Sequence, residues 1–321
     1  SFNQIIAKSH SETSGFFYVP LQKKNKYMSH KAGFVNIIGN PNVGKSTLMN
    51  AMVGEKLSII TSKAQTTRHR IFGIVNDEDY QIVFSDTPGI IKPAYDLQTS
   101  MMDFVKSAFS DADILIYMVE IGEKELKDEE FFNKIIHAKI PVLLLLNKID
   151  KSNQEMLEEQ VQTWQAKVPN AEIFPISALE NFNVKEALNR IVELLPVSPP
   201  YYPKDALTDK PERFFVNETI REKILLNYDK EIPYAVEVET EEFIEEEKII
   251  KIRSVIMVER DTQKGIIIGH KGAALKKVGM LARADLELFF DKQIHIEIFV
   301  KVNKDWRSNA FQLRRFGYNQ K

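Results

Sequence analysis

A glycine-rich segment that ends in lysine and serine carries the strongest chemical signal in the sequence. It matches G-x-x-x-x-G-K-[ST], follows an apolar run and leads into a helical pattern. In that setting glycines allow backbone N–H groups to turn toward an anion at a helix N-terminus, where the helix dipole favours negative charge. Lys45 is expected to neutralise β- and γ-phosphate oxygens, and the Ser46 hydroxyl to ligate Mg²⁺. The predicted phosphate-binding residues are Gly39, Asn40, Pro41, Asn42, Val43, Gly44, Lys45, Ser46 and Thr47.

Two further polar segments offer the rest of a site for Mg²⁺ and a γ-phosphate. Asp86 follows a strand pattern, so its carboxylate is expected to hold Mg²⁺ through water, and Gly89 allows its N–H to approach the phosphate. The polar loop Ser58–Arg70 is where a switch threonine should bind Mg²⁺, with Thr67 as first choice and Thr66 as second. The predicted catalytic residues are Lys45, Thr67 and Gly89, and the predicted Mg²⁺ site is Ser46, Thr67 and Asp86.

The residue after Gly89 is apolar. Ras-like sites place a water-orienting glutamine there, whereas this chain has Ile90. An isoleucine side chain cannot orient water, so we expect slow intrinsic hydrolysis that relies on the backbone, on Mg²⁺ and on a second cation.

A third motif, Asn147–Asp150, follows an apolar run and fits the recognition of guanine. The Asp150 carboxylate offers two acceptors for the adjacent N1–H and N2–H₂ donors of guanine, an edge that adenine lacks. The Asn147 amide can address the N7 and O6 side of the base. Such a site rejects the wrong base by roughly 10⁴-fold, because rejection leaves its own groups unpaired. The predicted base-binding residues are Asn147, Lys148 and Asp150, with Ser177, Ala178 and Leu179 from a turn expected to place an N–H on O6.

These motifs must be positioned by a sheet, because each comes directly after a strand pattern. Six strand patterns alternate with five helical patterns between residues 31 and 195. Open α/β sheets bind their ligands at the carboxyl ends of the strands. The alternation and the order of the motifs predict an α/β P-loop GTPase domain with a doubly wound, mostly parallel sheet.

A second domain is expected after a proline-rich segment at residues 196–205. Its prolines cannot continue a helix or a central strand, which predicts a stiff, extended linker. Residues 206–317 then follow the order helix, strand, strand, helix, helix, strand, which is typical of an α+β type II KH domain. We expect one of these strands at Ala235–Thr240 and a last helix at Asp305–Phe316.

A G-x-x-G loop lies between two helical patterns of this second domain. KH domains use such a loop to clamp about four nucleotides of single-stranded RNA, with the bases in an apolar groove. Basic residues in and after the loop support phosphate contact. The acidic run Glu237–Glu247 is interpreted as a solvated strand face and loop, and the basic segment Trp306–Arg315 either packs or extends the RNA surface. The predicted RNA-binding residues are Gly265, Ile266, Ile268, Gly269, His270, Lys271, Gly272, Lys276 and Arg283.

Composition narrows the remaining possibilities. The 321 residues include 43 Lys and Arg against 45 Asp and Glu, a net charge of −2 that averages over domains and so does not exclude RNA. The absence of cysteine excludes disulfides, thiolate zinc sites and cysteine nucleophiles. The apolar runs are far shorter than the roughly 20 residues that span a bilayer, so no transmembrane segment is predicted. Residues 1–29 are expected to be a disordered leader or an extension from a mis-assigned start before Met28, with a transit peptide as the alternative.

Together these segments closely resemble the Era family of bacterial GTPases, over nearly everything from Lys31 to Arg307. The resemblance implies a ribosome-assembly factor that hydrolyses GTP to GDP with Mg²⁺ and, when GTP-loaded, binds the single-stranded 3′ end of small-subunit rRNA on the small ribosomal subunit. It makes Asn42 a candidate K⁺ ligand, because the corresponding asparagine of related GTPases helps to hold K⁺. A cytoplasmic monomer is expected, with peripheral association at the inner membrane face implied by resemblance alone. The segments that carry the resemblance are Gly39–Thr47, Lys63–Arg70, Asp86–Gly89, Asn147–Asp150 and Gln263–Gly269.

Two other functions remain open from the sequence. One is a GTPase switch for a protein partner, with the KH fold as its docking surface. The other is a nucleotide-stabilised RNA-binding scaffold in which turnover is incidental. The affinity for RNA with a GTP analogue, with GDP and without nucleotide distinguishes the three functions.

Overall fold

A computed structural model describes residues 30–126 and 128–318, so the predicted leader at residues 1–29 lies outside the described residues. The first domain is built on a six-stranded sheet with the order β2-β3-β1-β4-β5-β6. All neighbouring strands are parallel except β2, which is antiparallel to β3. The strands are β1 (Lys31–Ile38), β2 (Ile71–Asn76), β3 (Tyr80–Asp86), β4 (Ile114–Glu120), β5 (Val142–Asn147) and β6 (Ala171–Pro175).

Five helices cover both faces of this sheet, as the prediction of a doubly wound fold requires. Leu48 of α1 and Ile191 of α5 are buried in an apolar cluster on one face. Val105 of α2, Phe131 of α3 and Trp164 of α4 are buried in a second cluster on the other face. The helices are α1 (Lys45–Val53), α2 (Asp96–Ser110), α3 (Glu129–Ile136), α4 (Gln154–Lys167) and α5 (Val184–Leu194).

Strand β5 shows why the apolar runs form central strands. Leu143 and Leu145 belong to the first cluster, whereas Leu144 and Leu146 belong to the second. Because successive side chains of a strand point to opposite faces, one continuous apolar run fills both cores. The strand ends at Asn147, so the sheet itself delivers the first polar residue of the guanine motif to the ligand-binding edge.

The proline-rich segment at residues 196–205 pairs with β1 through the bridge between Val197 and Lys31 and then bends at residues 201–202, so it is not a free spacer. The backbone N–H of Tyr201 donates to the side-chain oxygen of Gln81 on β3 at 2.7 Å. Farther along, the N–H of Ile74 on β2 donates to the carbonyl of Leu207 at 2.8 Å. The segment therefore lies along the first domain, and the first helix of the second domain begins at Glu212.

The second domain has a three-stranded sheet with the order β7-β8-β9 and the predicted order of elements. Strand β7 is antiparallel to β8, and β9 is parallel to β8. Residues 232–235 form a short helix with Pro233 in its first turn, so the prediction of strand from Ala235 is wrong at its start. The elements are α6 (Glu212–Asn227), α7 (Ile232–Ala235), β7 (Glu237–Glu245), β8 (Ile249–Val258), α8 (Asp261–Ile268), α9 (Ala273–Phe290), β9 (Gln293–Val302) and α10 (Ala310–Arg315).

The C-terminal segment packs against the first domain, the first of the two alternatives left by the sequence. It is not one helix, because a 3₁₀ turn at Trp306–Ser308 precedes α10. Trp306, Leu313 and Tyr318 are buried in the same cluster as α2 and α4. No helix within residues 30–126 and 128–318 is long and apolar enough to cross a membrane.

The expectation that the acidic run is solvated is wrong for its first residue. Glu237 is only 6% exposed; it accepts a hydrogen bond from the Tyr318 hydroxyl at 2.7 Å and pairs with Arg68 at 3.3 Å. Burial raises the pKa of Glu237, while the Arg68 guanidinium acts in the opposite direction. Residues 241, 242 and 245–247 are exposed as expected. The run therefore begins inside the contact between the two domains.

Candidate nucleotide and RNA sites

The phosphate loop between β1 and α1 requires glycine at both ends. Gly39 has φ +153°, and a Cβ there would lie 2.2 Å from the carbonyl oxygen of Met118. Gly44 has φ +104°, and its Cβ would lie 2.4 Å from Nδ2 of Asn147. Gly44 is also the N-cap of α1 and has no side chain to cap it, which leaves the first N–H groups of α1 for an anion.

Lys45 is buried at the base of this loop. Its Nζ donates to the carbonyls of Asn40 at 2.8 Å and Gly39 at 3.2 Å. Burial lowers the pKa of Lys45 to about 8, while Asp86 and Glu123 act in the opposite direction. A phosphate in the loop would favour the charged form of the amine. The position of Lys45 therefore suits the neutralisation of phosphate oxygens.

Ser46, Thr67 and Asp86 form one oxygen cluster although they come from three separate segments. Ser46 Oγ donates to Asp86 Oδ2 at 2.7 Å, and Thr67 Oγ1 lies 2.9 Å from Ser46 Oγ and 3.2 Å from Asp86 Oδ2. Burial raises the pKa of Asp86, against the hydrogen bond from Ser46. Its Oδ1 is buried and has no hydrogen-bond partner within the described chain. Hydroxyl and carboxylate oxygens are ligands that Mg²⁺ accepts, so this donor set fits the metal.

The two candidate switch threonines contact different neighbours. Thr67 reaches the oxygen cluster, whereas Thr66 Oγ1 donates to the carbonyl of Lys63 at 2.6 Å and lies 2.8 Å from Thr61 Oγ1. The hydroxyl of Thr66 therefore makes its hydrogen bonds within the loop Ser58–Arg70, which we call the switch loop. The geometry favours Thr67 as the candidate Mg²⁺ ligand.

Gly89 and Ile90 occupy different environments. A Cβ on Gly89 would lie 2.7 Å from Cα of Pro41, so glycine allows this segment to approach the phosphate loop. The N–H of Ile90 donates to the Gly39 carbonyl at 3.0 Å and ties the two segments together. The Ile90 side chain is fully buried in the cluster beneath α2. It is a core residue and is not placed to orient water.

Asn147 links the phosphate loop to the turn at Ser177, Ala178 and Leu179. Its Nδ2 donates to the carbonyl of Val43 at 2.8 Å, and its Oδ1 accepts from the N–H of Ala178 at 2.9 Å. The side chain is 2% exposed. The amide oxygen and one amide N–H, which the sequence suggested for the base, are already used within the protein.

The Asp150 carboxylate, the predicted acceptor for the N1–H and N2–H₂ groups of guanine, is held by a hydrogen bond from Ser177. Ser177 Oγ donates to Asp150 Oδ1 at 2.6 Å, which orients the exposed carboxylate. Lys148 has φ +64°; its Nζ donates to the carbonyl of Asn42 at 2.7 Å and pairs with Glu120. The motif therefore presents an oriented carboxylate beside the phosphate loop.

The predicted nucleotide residues come together around a cavity of 560 Å³. The predicted residues that do not line this cavity are Gly39, Asn40, Val43, Asp86, Asn147, Asp150, Ser177 and Ala178. Those that line it are Pro41, Asn42, Gly44, Lys45, Ser46, Thr47, Thr67, Gly89, Lys148 and Leu179.

The G-x-x-G turn lies between α8 and α9 of the second domain. Gly269 has φ +71° and ψ −177°, a region open essentially to glycine, and a Cβ there would lie 2.6 Å from Cβ of Ala274. Gly272 has φ +79°. His270 and Lys271 are exposed between them. The turn therefore presents a basic tip whose backbone requires glycine at position 269.

An open groove of 400 Å³ begins at this turn and runs between α9 and β9. Ile296 and Ile298 contribute apolar side chains, and Lys276 and Arg283 line the groove from α9. A Cβ on Gly279 would lie 3.7 Å from Cδ1 of Ile298, so a larger side chain at this position would fill part of the groove. Apolar surface with cations beside it suits bases in the groove and phosphates along its edge.

Not all predicted RNA residues line this groove. Gly265 and Ile266 are exposed on α8, and Ile268 is half-buried against the domain core. Sequence reasoning missed Gly279, although its spacing from 272, 276 and 283 places it on the same face of a helix. It also missed Glu123, whose carboxylate accepts from the side chain of Asn40 in the phosphate loop. No local pattern marks Glu123.

A P-loop guanine-nucleotide site joined to a KH domain with an open basic groove defines an RNA-binding GTPase as the class of protein. Residues 34–148 match the family described as 50S ribosome-binding GTPases, and residues 231–307 match the KH domain family.

The comparison with whole proteins is more specific. The chain is 44% identical over 291 residues to GTPase Era of Staphylococcus haemolyticus, which covers 90% of this chain and 97% of that protein. Two solved structures of Era each match with a TM-score of 0.86 and 38% identity, over 90% of this chain and 99% of theirs. One is Era with MgGDPNP and nucleotides 1506–1542 of 16S ribosomal RNA, and the other is an Aquifex aeolicus Era variant bound to GDP and AlF₄⁻. The chain belongs to the Era family of GTPases, and it is an enzyme that hydrolyses GTP.

Proposed function

We propose that this GTPase is a ribosome-assembly factor whose second domain binds the single-stranded 3′ end of small-subunit rRNA in the GTP-bound state. The observation that carries the proposal is the combination in one chain of the oxygen cluster at Thr67 and the open groove beside α9. The Era structure with MgGDPNP and 16S RNA supports it, because that protein shares the two-domain arrangement over 90% of this chain.

In the hydrolytic site each residue has a separate task. Lys45 neutralises β- and γ-phosphate oxygens, and the N–H groups of the phosphate loop hold the same phosphates. Ser46, Thr67 and, through water, Asp86 would hold Mg²⁺, which when bound neutralises charge on the β- and γ-phosphates. Gly89 brings its N–H close to the γ-phosphate. Replacing Thr67 with alanine should slow hydrolysis and raise the Mg²⁺ concentration required for half-maximal activity.

Potassium is a further part of the proposal. Asn42 has φ +65° and its Nδ2 donates to the carbonyl of Ser62 at 3.0 Å, so it joins the phosphate loop to the switch loop at the cavity. Its Oδ1 and nearby carbonyls are oxygen donors of the kind that hold a monovalent cation. Hydrolysis should fall when Na⁺ replaces K⁺, and equal rates in the two salts would remove the proposal.

The RNA groove is tested by removing positive charge from its edge. Each lysine that neutralises a phosphate of a single strand contributes about −0.7 to the slope of log affinity against log salt. The double variant Lys271→Gln, Lys276→Gln should therefore weaken RNA binding and make this slope shallower by about 1.4. Lys248→Gln is the control, since Lys248 is exposed near the opposite end of α9. An unchanged slope in the double variant would contradict this RNA surface.

The two comparisons name different ribosomal subunits. The first-domain family is described by the 50S subunit, whereas the two-domain Era structure contains 16S RNA. We favour the small subunit, because the comparison with Era includes the RNA-binding domain itself. Crosslinking to purified subunits, with the contacted nucleotides mapped, tests this choice. Crosslinks that map to the large subunit would overturn it.

Location and oligomeric state complete the proposal. A cytoplasmic monomer is consistent with a ribosomal partner, and sedimentation measures its mass. Peripheral contact with the inner membrane face rests on the family resemblance alone. Flotation with vesicles tests it, and absence of the protein from the vesicle fraction would remove it.

A further inference from the structure

The switch loop is held from outside the first domain. Arg221, on α6 of the second domain, is 1% exposed and donates from its guanidinium to the carbonyl of Thr66. The same guanidinium is fixed by Glu218, with Nε 2.8 Å from Oε1 and Nη2 2.6 Å from Oε2. Two charge-assisted hydrogen bonds from Arg221 to Glu218 therefore orient the guanidinium that binds the switch loop.

The Thr66 carbonyl is one residue from the oxygen cluster. A trans peptide unit is planar, and its C=O and N–H point in opposite directions. Because Arg221 fixes the Thr66 carbonyl toward the second domain, the N–H of Thr67 points away from that domain. The same peptide unit leads directly to the Thr67 side chain, which lies 2.9 Å from Ser46 Oγ. Arg221 thus restrains the peptide unit between Thr66 and Thr67 and, through it, the direction of the Thr67 side chain.

The residue after Thr67 is held from the same side. Arg68 is 1% exposed, and its guanidinium donates to the carbonyls of Val236 at 2.7 Å and of Pro233 at 3.3 Å. The side chain of Thr67 therefore points toward the oxygen cluster, and that of Arg68 points into the second domain. The contacts of Arg68 and Arg221 leave the segment little freedom to rotate.

We infer that Arg221 is a positioning residue for GTP hydrolysis: it holds the Thr66 carbonyl so that Thr67 reaches the Mg²⁺ and γ-phosphate position. The inference rests on the proposed role of Thr67. It gives the second domain a part in the hydrolytic site of the first. Loss of this contact slows hydrolysis without weakening GDP binding, because GDP lacks the γ-phosphate that the switch threonine senses.

The test compares Arg221→Gln with Arg213→Gln in the full chain. Arg213 is an exposed residue of the same helix and, among residues 30–126 and 128–318, donates only to the Glu241 carbonyl, at 3.5 Å. Arg221→Gln should lower kcat about tenfold and raise the Mg²⁺ requirement, with the Kd for GDP changed less than about twofold. Arg213→Gln should behave as the parent protein. If the unpaired Glu218 carboxylate prevents folding, the double variant Glu218→Gln, Arg221→Gln carries the same test.

A double-mutant cycle separates this inference from the proposed function. If Arg221 acts through Thr67, Arg221→Gln should cause no further loss of kcat when Thr67 is already alanine. A slower Thr67→Ala with an unchanged Arg221→Gln would overturn the positioning role and leave the proposed Mg²⁺ site standing. Unchanged hydrolysis and Mg²⁺ dependence in Thr67→Ala would overturn both. An equal loss of GTP turnover and GDP affinity in Arg221→Gln would assign Arg221 a purely structural role.

Discussion

Replacement of Asn147 by alanine should destabilise the first domain before any nucleotide is bound. The side chain is buried and satisfies two backbone groups, the Val43 carbonyl at 2.8 Å and the Ala178 N–H at 2.9 Å. Each buried group that loses its partner costs about 1–3 kcal/mol. Water from the adjacent cavity relieves part of this cost, so we expect the free energy of unfolding to fall by about 2–4 kcal/mol.

Urea unfolding followed by tryptophan fluorescence measures this change. Trp164 is fully buried in the first domain, and Trp306 is fully buried where the C-terminal segment packs on the same cluster, so the signal reports the loss of that cluster. Asn133→Ala is the matched control, because Asn133 is exposed on α3 and its loss should change stability by less than about 0.5 kcal/mol. A loss below about 0.5 kcal/mol in Asn147→Ala would refute the argument that this side chain joins the two loops.

Three further substitutions test the site. Gly89→Ala should weaken binding of a GTP analogue more than binding of GDP, because the new Cβ would lie 2.7 Å from Cα of Pro41; equal losses, measured by equilibrium titration, would contradict this. Ile90→Val should cost about 1 kcal/mol of stability and change kcat less than twofold, since the side chain is core; a large loss of kcat at unchanged GTP affinity would give Ile90 a catalytic role. Asp150→Asn should reverse the preference for GTP over xanthosine triphosphate, because the amide donates where the carboxylate accepted; competition binding that still favours GTP would contradict Asp150 as the guanine acceptor.

The first domain was predictable because its information is local. An apolar run such as Val142–Leu146 fills both cores, and the next residue is the first of the guanine motif. The glycines of the phosphate loop could be predicted because they belong to one short motif, although the residues that leave no room for a side chain there, Met118 and Asn147, are far along the chain. The sequence also narrowed the switch ligand to Thr66 or Thr67, but the choice between them needed the position of Ser46 and Asp86.

What the sequence could not reveal depends on contacts between distant segments. In the sequence Glu237 is one of several glutamates on a strand of alternating polar and apolar residues. In the structure it is buried between the domains, where it contacts Arg68 and Tyr318. No pattern in the sequence distinguishes Arg221 from the other charged residues of α6, because only the packing of the two domains brings it to the Thr66 carbonyl. The prolines of residues 196–205 predict a stiff linker, but they do not predict that Gln81 binds this segment to the first domain. These placements follow from how two domains fit together, which no local pattern encodes.

Nucleotide-dependent RNA binding is measured most directly as the affinity for a single-stranded RNA with the sequence of the small-subunit rRNA 3′ end. It should be measured with a GTP analogue, with GDP and without nucleotide, at one fixed salt concentration. We expect the tightest binding with the GTP analogue, by about tenfold over GDP, which is within the usual range of coupling between two sites. Equal affinity in all three states would instead indicate an RNA-binding scaffold. No binding in any state would indicate a GTPase switch for a protein partner.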